Sequence, residues 1–191
     1  ANGTLSLKQI SAVGSTITSV GGTGGNVTIM ADDLDLQTGS LITTPGTFSG
    51  NLTIMPFSTN QDIYLGTVGP GTPLEISAAE LTRMTAIDTL TIGRSTGTGN
   101  LTVAENLTSA GINASTLVLK HQTITTNNAI DLSGGENLKL VAAAGIDINN
   151  AVDAGDVTLE APIATFAPVS AVNIDSFTIN GTGSPTASFD G

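Results

Sequence analysis

The sequence predicts an all-β protein, a parallel β-helix (β-solenoid) in which short strands stack from one repeat to the next. The first observation is a five-residue phrase, Gly-Asn-apolar-Thr-apolar, whose recurrence is typical of a repeat architecture. The second is the recurrence of apolar residues two positions apart, the period of a strand. The third is the abundance of turn-forming residues between those pairs, including 23 glycines. Leucine-rich repeats have a similar length, but their L-x-x-L-x-L-x-x-N register is missing.

The recurring phrase occupies residues 25–29, 50–54 and 99–103, and a weaker copy occupies 2–7. The first two full copies begin 25 residues apart and the next two 49 residues apart, so we expect a diverged copy in that interval. Toward the C-terminus the repeat shortens to roughly 19 or 20 residues. At roughly 20 to 25 residues per repeat, the 191 residues give about eight or nine coils. At about 4.8 Å per coil, the rod would be roughly 40 Å long.

Apolar pairs predict the individual strands. Gly, Asn, Asp, Ser and Thr separate the pairs, so each strand is expected to be short and followed by a bend. The 51 Leu, Ile, Val and Phe residues are enough for a core, and the 30 threonines suit outward-facing strand positions. The pairs are Leu34/Leu36, Ile63/Leu65, Leu74/Ile76, Leu90/Ile92, Leu117/Leu119, Ile130/Leu132, Ile146/Ile148 and Val172/Ile174.

One segment departs from the strand pattern. Ser77-Ala78-Ala79-Glu80 has the S-x-x-E spacing of a capping box, in which the serine hydroxyl and the glutamate carboxylate satisfy backbone donors at a helix start. We therefore predict a short helical insertion near 77–84, about two turns long. It would be either a knob that touches a partner or, as we favour, a corner filler packed over the coil by Leu81 and Met84.

Composition and charge exclude several classes of function. The chain has 16 acidic residues and five scattered cationic ones, a formal net charge of −11, whereas nucleic-acid binding needs clustered cations. The sequence contains no apolar run long enough for a transmembrane helix. The absence of cysteine excludes disulfides and thiolate metal sites. One Tyr, five Phe and no Trp are too few for an aromatic-lined sugar cleft.

Catalysis is the second hypothesis, because many parallel β-helices cleave polysaccharides with carboxylates and basic groups aligned on one sheet face. Two groups of aspartates are candidates, but neither has an accompanying cation, and turn positions explain them equally well. Calcium would need about six to eight oxygen ligands, and the calcium-binding nonapeptide is missing. We therefore assign no catalytic, cofactor-binding or metal-binding residue and expect no cofactor. The two groups are Asp32, Asp33 and Asp35, and Asp147, Asp153 and Asp156.

Histidine and threonine patterns support no specialised chemistry. His121 is the single histidine, so no second imidazole is present for a metal or nucleophile site, and we expect an exposed turn or strand residue. Threonine triplets at 89–91 and 123–125 match the T-x-T pattern of ice-binding β-helices, but they do not recur coil after coil. Ice binding is therefore not expected.

Seven N-x-S/T sequons are candidate glycosylation sites. Three of them belong to the repeat phrase, where we favour a turn role for asparagine or a ladder of asparagines between successive coils. The seven asparagines are Asn2, Asn26, Asn51, Asn100, Asn106, Asn113 and Asn180.

Two stretches resemble the repeats of a known protein family. The first is the phrase at 25–29 followed by Ala-Asp-Asp-Leu-Asp-Leu-Gln-Thr-Gly-Ser-Leu-Ile at 31–42. The second is Leu-Glu-Ile-Ser-Ala-Ala-Glu-Leu-Thr-Arg-Met at 74–84, followed by 90–93 and 97–103. Both are similar to segments of filamentous-haemagglutinin-type exoproteins of Gram-negative bacteria and cyanobacteria. The resemblance implies a right-handed parallel β-helix, exported across the outer membrane, often by two-partner secretion, and serving in adhesion or surface display.

We therefore expect residues 1–191 to form a single continuous β-helix segment, part of a longer chain or of an end-to-end assembly. The expected role is a non-enzymatic stalk or display segment of a bacterial adhesin, extracellular or on the outer cell surface. One alternative is a structural protomer that polymerises end to end into an extracellular fibre. Another is a polysaccharide-active β-helix enzyme. Candidate partners are a host-surface or matrix receptor, a glycan, or further copies of the chain, but not nucleic acid.

Overall fold

The computed structural model describes residues 3–6, 9–12, 16–18, 25–43, 50–66, 73–85, 87–167, 172–180 and 186–189. These residues are nearly all β, with one short helix, and their strand pairs are parallel. The elements are β1 (Gly3–Ser6), β2 (Gln9–Ala12), β3 (Thr16–Thr18), β4 (Val27–Met30), β5 (Asp33–Leu36), β6 (Leu41–Thr43), β7 (Leu52–Met55), β8 (Ile63–Leu65), β9 (Leu74–Ile76), α1 (Ala78–Leu81), β10 (Met84–Thr85), β11 (Ile87–Gly93), β12 (Asn100–Val103), β13 (Leu107–Thr108), β14 (Ala114–Thr126), β15 (Ile130–Asp131), β16 (Asn137–Ile148), β17 (Val152–Glu160), β18 (Ile163–Phe166), β19 (Val172–Asn180) and β20 (Thr186–Phe189).

Eight strands form one continuous parallel row, which we call the first row: β1, β4, β7, β11, β14, β16, β17 and β19. Their register keeps apolar residues at matching positions from one strand to the next. The column that begins at Gly3 continues through Val27, Leu52, Leu90, Leu117, Leu138, Val157 and Phe177. Pairing is therefore between equivalent strands of successive repeats, as the sequence predicted for Val27 and Leu52.

Two further rows run beside the first. The second row contains β9, β8, β12, the later halves of β14 and β16, β18 and β20. The third row contains β13, β15 and the opening residues of β17 and β19. Two smaller sheets pair β2 with β5, and β3 with β6 and β10. Long strands such as β14 and β16 thus pass from the first row into the second.

The core follows from the alternation of side chains along these strands. In β4, Val27 and Ile29 are buried, whereas Thr28 and Met30 are partly exposed, and β7 repeats the pattern. The buried aliphatic residues form one hydrophobic cluster that extends from Val27 to Phe166. The predicted apolar pairs are confirmed: those from Leu34/Leu36 to Ile146/Ile148 are buried, and Val172 and Ile174 lie in β19.

The third copy of the repeat phrase does not lie in the first row, but the predicted diverged copy before it is present as Asp-Thr-Leu-Thr-Ile at 88–92, where β11 pairs in register with β7. Leu52 pairs with Leu90, whereas Leu101 lies in the second row between Ile63 and Ile124. The phrase marks a strand that follows a turn, whichever row that strand enters. Its asparagine suits a turn, and its alternating aliphatic residues suit any strand with one buried face.

An insertion occupies the interval between Leu52 and Leu90. After β8 the chain forms β9 beside β8, then α1, and then β10 beside β6. The repeat is therefore uneven, because the first-row column at positions 3, 27, 52, 90, 117, 138, 157 and 177 gives spacings of 24, 25, 38, 27, 21, 19 and 20 residues.

The predicted helix exists but is shorter than expected. α1 is a single turn, because Met84 leaves the helix to pair with Ile42 in β10. Leu81 and Met84 are each 1% exposed and belong to the hydrophobic cluster. The prediction that these two residues anchor a corner filler is therefore confirmed. No helix among the described residues has the length and apolar character needed to cross a membrane.

Candidate functional site

The surface beside the insertion carries a groove of about 740 Å³. β5 forms one side, and β9 with the α1 segment forms the other. The groove brings the predicted acidic cluster next to the predicted helix, and the charged side chains that line it are mainly acidic. They are Asp33, Asp35, Glu75, Glu80 and Arg83.

Glu80 fastens α1 to β5. One carboxylate oxygen, Oε2, accepts hydrogen bonds from the Ser77 N–H and the Ser77 hydroxyl, both at 2.8 Å, and the Glu80 N–H donates to Ser77 Oγ at 3.3 Å. The predicted capping box is thus confirmed. The other oxygen, Oε1, accepts from the Leu36 N–H at 2.9 Å, and Arg83 donates to the Leu36 carbonyl. Two side chains therefore satisfy the backbone of Leu36 much as a neighbouring strand would.

Sequence reasoning missed this clamp between Glu80, Arg83 and Leu36. Glu80 was assigned a local role at the helix start, and its second partner lies 44 residues away. Capping-box spacing carries no information about a distant strand edge, so no local signal pointed to Leu36.

The first group of predicted acidic residues does not converge on one point. Asp32 binds the connection between β7 and β8, where its carboxylate accepts from the Ser58 N–H at 2.7 Å and from the Ser58 hydroxyl at 2.6 Å. Asp33 and Asp35 are exposed on β5, and Asp35 accepts from Gln37 Nε2 at 3.0 Å. Across the described residues, no three histidine or acidic side chains are grouped in a way that could hold a metal ion.

The second group is divided among three rows. Asp147 lies in the second row, Asp153 in the third and Asp156 in the first. Asp147 accepts from the Thr165 hydroxyl, and Asp156 accepts from the Ser176 hydroxyl at 2.5 Å. These two carboxylates therefore link successive strands, and the structure does not bring the three aspartates together as a set.

His121 is buried, and the prediction of an exposed residue is wrong. The side chain is 1% exposed, with Nε2 lying 2.8 Å from the Gln61 carbonyl oxygen. Burial lowers the pKa of His121, against the opposing effects of the Gln61 hydrogen bond and the Asp62 carboxylate. The residues that cover the ring belong to other repeats, and Gln61 is 60 positions earlier in the chain. Polar neighbours in sequence therefore gave a misleading expectation.

Several asparagines join one repeat to the next through the backbone. The Asn26 side-chain oxygen accepts from the Asn51 N–H at 3.0 Å, and that of Asn106 accepts from the Ala129 N–H at 3.1 Å. Asn26 and Asn106 stand just before β4 and β13, and the turn role predicted for the asparagines of the repeat phrase stays a prediction. Asn2 lies outside the described residues, and glycosylation stays a prediction.

Side chains also bond to one another between repeats. Asn149 donates to Asn127 at 3.3 Å, although neither belongs to the repeat phrase for which a ladder was predicted, and Thr123 donates to Asn100. Such contacts give the outer surface a series of short polar bridges that run across the strands.

Two exposed charged sites have specific partners. Hydrogen bonds from the hydroxyl and the backbone N–H of Ser133 lower the pKa of Asp131. Lys139 and Glu160 form an ion pair at 2.6 Å, with each side chain about one-third exposed. A pair this exposed contributes little to stability.

The described residues thus offer an acidic groove beside α1, a buried histidine under two connections, and polar bridges between repeats. No protein-family model, curated protein or solved structure matches this chain.

Proposed function

We propose that the chain is a right-handed parallel β-helix that acts as a non-enzymatic stalk or display segment of a secreted or cell-surface bacterial adhesin. The observation that carries this proposal is the unbroken parallel pairing of the first row, which aligns aliphatic residues from Val27 to Val157. When the three rows close around the buried cluster, each repeat buries its aliphatic edge against the next. Nearest-neighbour stacking of this kind makes a stiff rod.

The outward-facing chemistry supports a structural role. The second group of predicted carboxylates, which a polysaccharide-cleaving enzyme would align on one face, is instead divided among rows, and Asp147 and Asp156 bond to hydroxyls of the next repeat. Glycoside hydrolysis needs two carboxyl groups flanking one bond. The strand-bridging carboxylates fit a surface that reinforces the rod better than one that cleaves a substrate.

Resemblance of residues 25–103 to filamentous-haemagglutinin-type repeats supports the cellular setting. We place the chain outside the cell or on the outer surface of a Gram-negative bacterium or cyanobacterium. In this setting the rod carries a binding element toward a host-surface or matrix receptor or a glycan. A net charge of −11 favours solubility and disfavours adsorption to anionic surfaces.

A fibre protomer is the second candidate, and one observation favours it. Within the described residues, β1 and β19 are the outermost strands of the first row, and each pairs with one neighbour in it, β4 and β17 respectively. An open strand edge is a template for pairing with another chain, which would extend the rows from one molecule to the next.

Electron microscopy and a light-scattering concentration series distinguish the two candidates. A stalk predicts short single rods at every concentration, whereas a fibre protomer predicts filaments that lengthen with concentration and have a repeat of about 4.8 Å along the axis. Compact particles without a long axis would contradict both.

A matched pair of lysine variants identifies the contact if filaments form. Thr178→Lys places a charge on the edge strand β19, and Thr158→Lys places the same charge at the paired position of the interior strand β17. End-to-end assembly requires the first variant to shorten the filaments and the second to leave them unchanged, because edge charges oppose strand addition. Equal effects would indicate lateral association.

A binding assay tests the display role. Beads coated with the chain should be retained on host-cell matrix or glycan surfaces no better than beads coated with an inert protein. Saturable retention that is competed by free chain would show that this segment is itself the adhesive element and would overturn the stalk role.

A further inference from the structure

His121 lies under two connections that come from different repeats. It sits in β14, beside the point where the register with β16 shifts. Its Nε2 bonds the carbonyl of Gln61, in the connection between β7 and β8. Its ring also packs against Gly97, in the connection between β11 and β12, so closely that an added Cβ there would lie 2.1 Å from Nδ1. Only a residue without a side chain fits over the ring at this position.

The two connections are also bonded to each other over the ring. Their mutual hydrogen bonds hold the later connection against the earlier one. The buried histidine contacts both connections from beneath. The bonds run from the Thr98 N–H to the Thr59 carbonyl at 2.8 Å, from the Asn100 N–H to Asp62 Oδ1 at 2.7 Å, and from Arg94 to the Pro56 carbonyl at 3.3 Å.

The packing accepts only the neutral ring. The Gln61 carbonyl is an acceptor, so Nε2 carries the proton, and Nδ1 is then a bare lone pair. Nδ1 is buried and has no hydrogen-bond partner. A second proton would place a charged N–H group against Gly97 with no acceptor, and burial of an unpaired charged donor is strongly unfavourable.

Two charged groups act on the ring, one from each connection. The Asp62 carboxylate favours the protonated form, whereas the Arg94 guanidinium opposes it. From the other side, β16 pairs the uncharged Ala142 with His121. Burial is the largest effect, and the net result is that the pKa of His121 lies below its ordinary value of 6.5.

We propose that His121 is an acid-released latch that holds the 94–99 connection against the 58–62 connection at neutral pH and frees it on acidification. The latch is local, because the aliphatic columns of the first and second rows on either side do not include the histidine. Its release exposes the backbone of one corner while the rows remain paired. A secreted rod would thus present a different surface in an acidified compartment than at neutral pH.

Linkage fixes the direction of the effect. Well above pH 6.5 the ring is neutral whether the corner is closed or open, and opening does not depend on pH. Below that value the open corner takes up a proton before the closed one does. The opening equilibrium then rises by up to about tenfold per pH unit until the pKa of the closed state is reached.

The single histidine makes the test direct, because only one imidazole contributes to the NMR spectrum. We expect its signal to titrate below pH 6.5, and the hydrogen-exchange protection of the Thr98 and Asn100 amides to fall by up to about tenfold per pH unit over the same range. The Asn51 amide, bonded to Asn26, serves as a distant control that should keep its protection. An ordinary titration, pH-independent protection at the corner, or equal loss at Asn51 would overturn the proposal.

Substitutions separate the latch from general packing. His121→Gln should abolish the pH dependence at Thr98 and Asn100, because the amide cannot be protonated in this range. If that variant does not fold, Asp62→Asn and Arg94→Gln provide the test in folded protein. The first should move the lower limit of the pH-dependent range, set by the pKa of the closed state, to lower pH and the second to higher pH, while the onset near pH 6.5 stays the same. Shifts in the same direction, or no shift, would contradict the latch.

Discussion

Replacing Glu80 with alanine tests the clamp between α1 and β5. The carboxylate accepts three hydrogen bonds, two from Ser77 and one from the partly buried Leu36 N–H. Loss of a helix cap costs about 1 kcal/mol. Loss of a charged acceptor for a partly buried backbone donor costs a further 1 to 2 kcal/mol or so. We therefore expect Glu80→Ala to lower the free energy of unfolding by about 2 to 3 kcal/mol.

Urea denaturation followed by circular dichroism measures this loss. With an m-value of about 2 kcal/mol/M, the midpoint should fall by about 1 to 1.5 M. Hydrogen exchange should also accelerate at the Leu36 amide more than at the Ile54 amide of the uninterrupted first row. Glu80→Gln keeps an acceptor but loses the charge, so its effect should be intermediate.

Glu75 provides the matched control, because it lines the same groove and its buried Oε1 has no hydrogen-bond partner. Glu75→Ala should not lower the free energy of unfolding, because it removes a buried oxygen that has no hydrogen-bond partner rather than a bonded one. The reasoning would be refuted if the two alanine variants were equally destabilised. It would also fail if Glu80→Ala left the exchange rate of the Leu36 amide unchanged.

Three further predictions concern the core, the backbone and the surface. Leu119→Ala, in a side chain with 0% exposure, should lower the free energy of unfolding by about 2 to 5 kcal/mol in urea denaturation. Gly93→Ala should be destabilising by roughly 1 to 3 kcal/mol, because φ is +95° and the added Cβ would lie 1.9 Å from a backbone carbonyl oxygen of the next strand. Gly145→Ala, with its nearest atom at 3.7 Å, is the control that should be nearly neutral in thermal melts. Lys139→Met should cost less than about 1 kcal/mol, and raising the salt concentration should shrink the difference from wild type, because the ion pair with Glu160 is exposed.

Local pattern was sufficient to identify strands but not to assign them to rows. Pairs such as Leu34/Leu36 and Ile146/Ile148 are buried as predicted, because alternation reports directly on which side of a strand is apolar. The phrase containing Leu101 matched that containing Leu52, yet the two lie in different rows. Row membership depends on the length of each connection, and an insertion changes that length without altering the phrase.

Contacts between distant segments account for what was missed at the candidate sites. The Ser77 and Glu80 box follows from local spacing, but the bond from Glu80 to Leu36 depends on the stacking of two repeats. His121 has polar neighbours in sequence, and its burial comes from connections that begin many residues earlier. A single sequence carries no signal for either contact.

The insertion between β8 and β11 leaves the first row intact, since Leu90 still pairs directly with Leu52. Lengthening that interval from about 25 to 38 residues costs only about 0.4 kcal/mol in loop-closure entropy. New sequence can therefore be acquired at a corner by gene-level insertion with little loss of stability. The same tolerance makes this interval a suitable graft site for a foreign epitope, which the neighbouring repeats would hold at a fixed position along the first row.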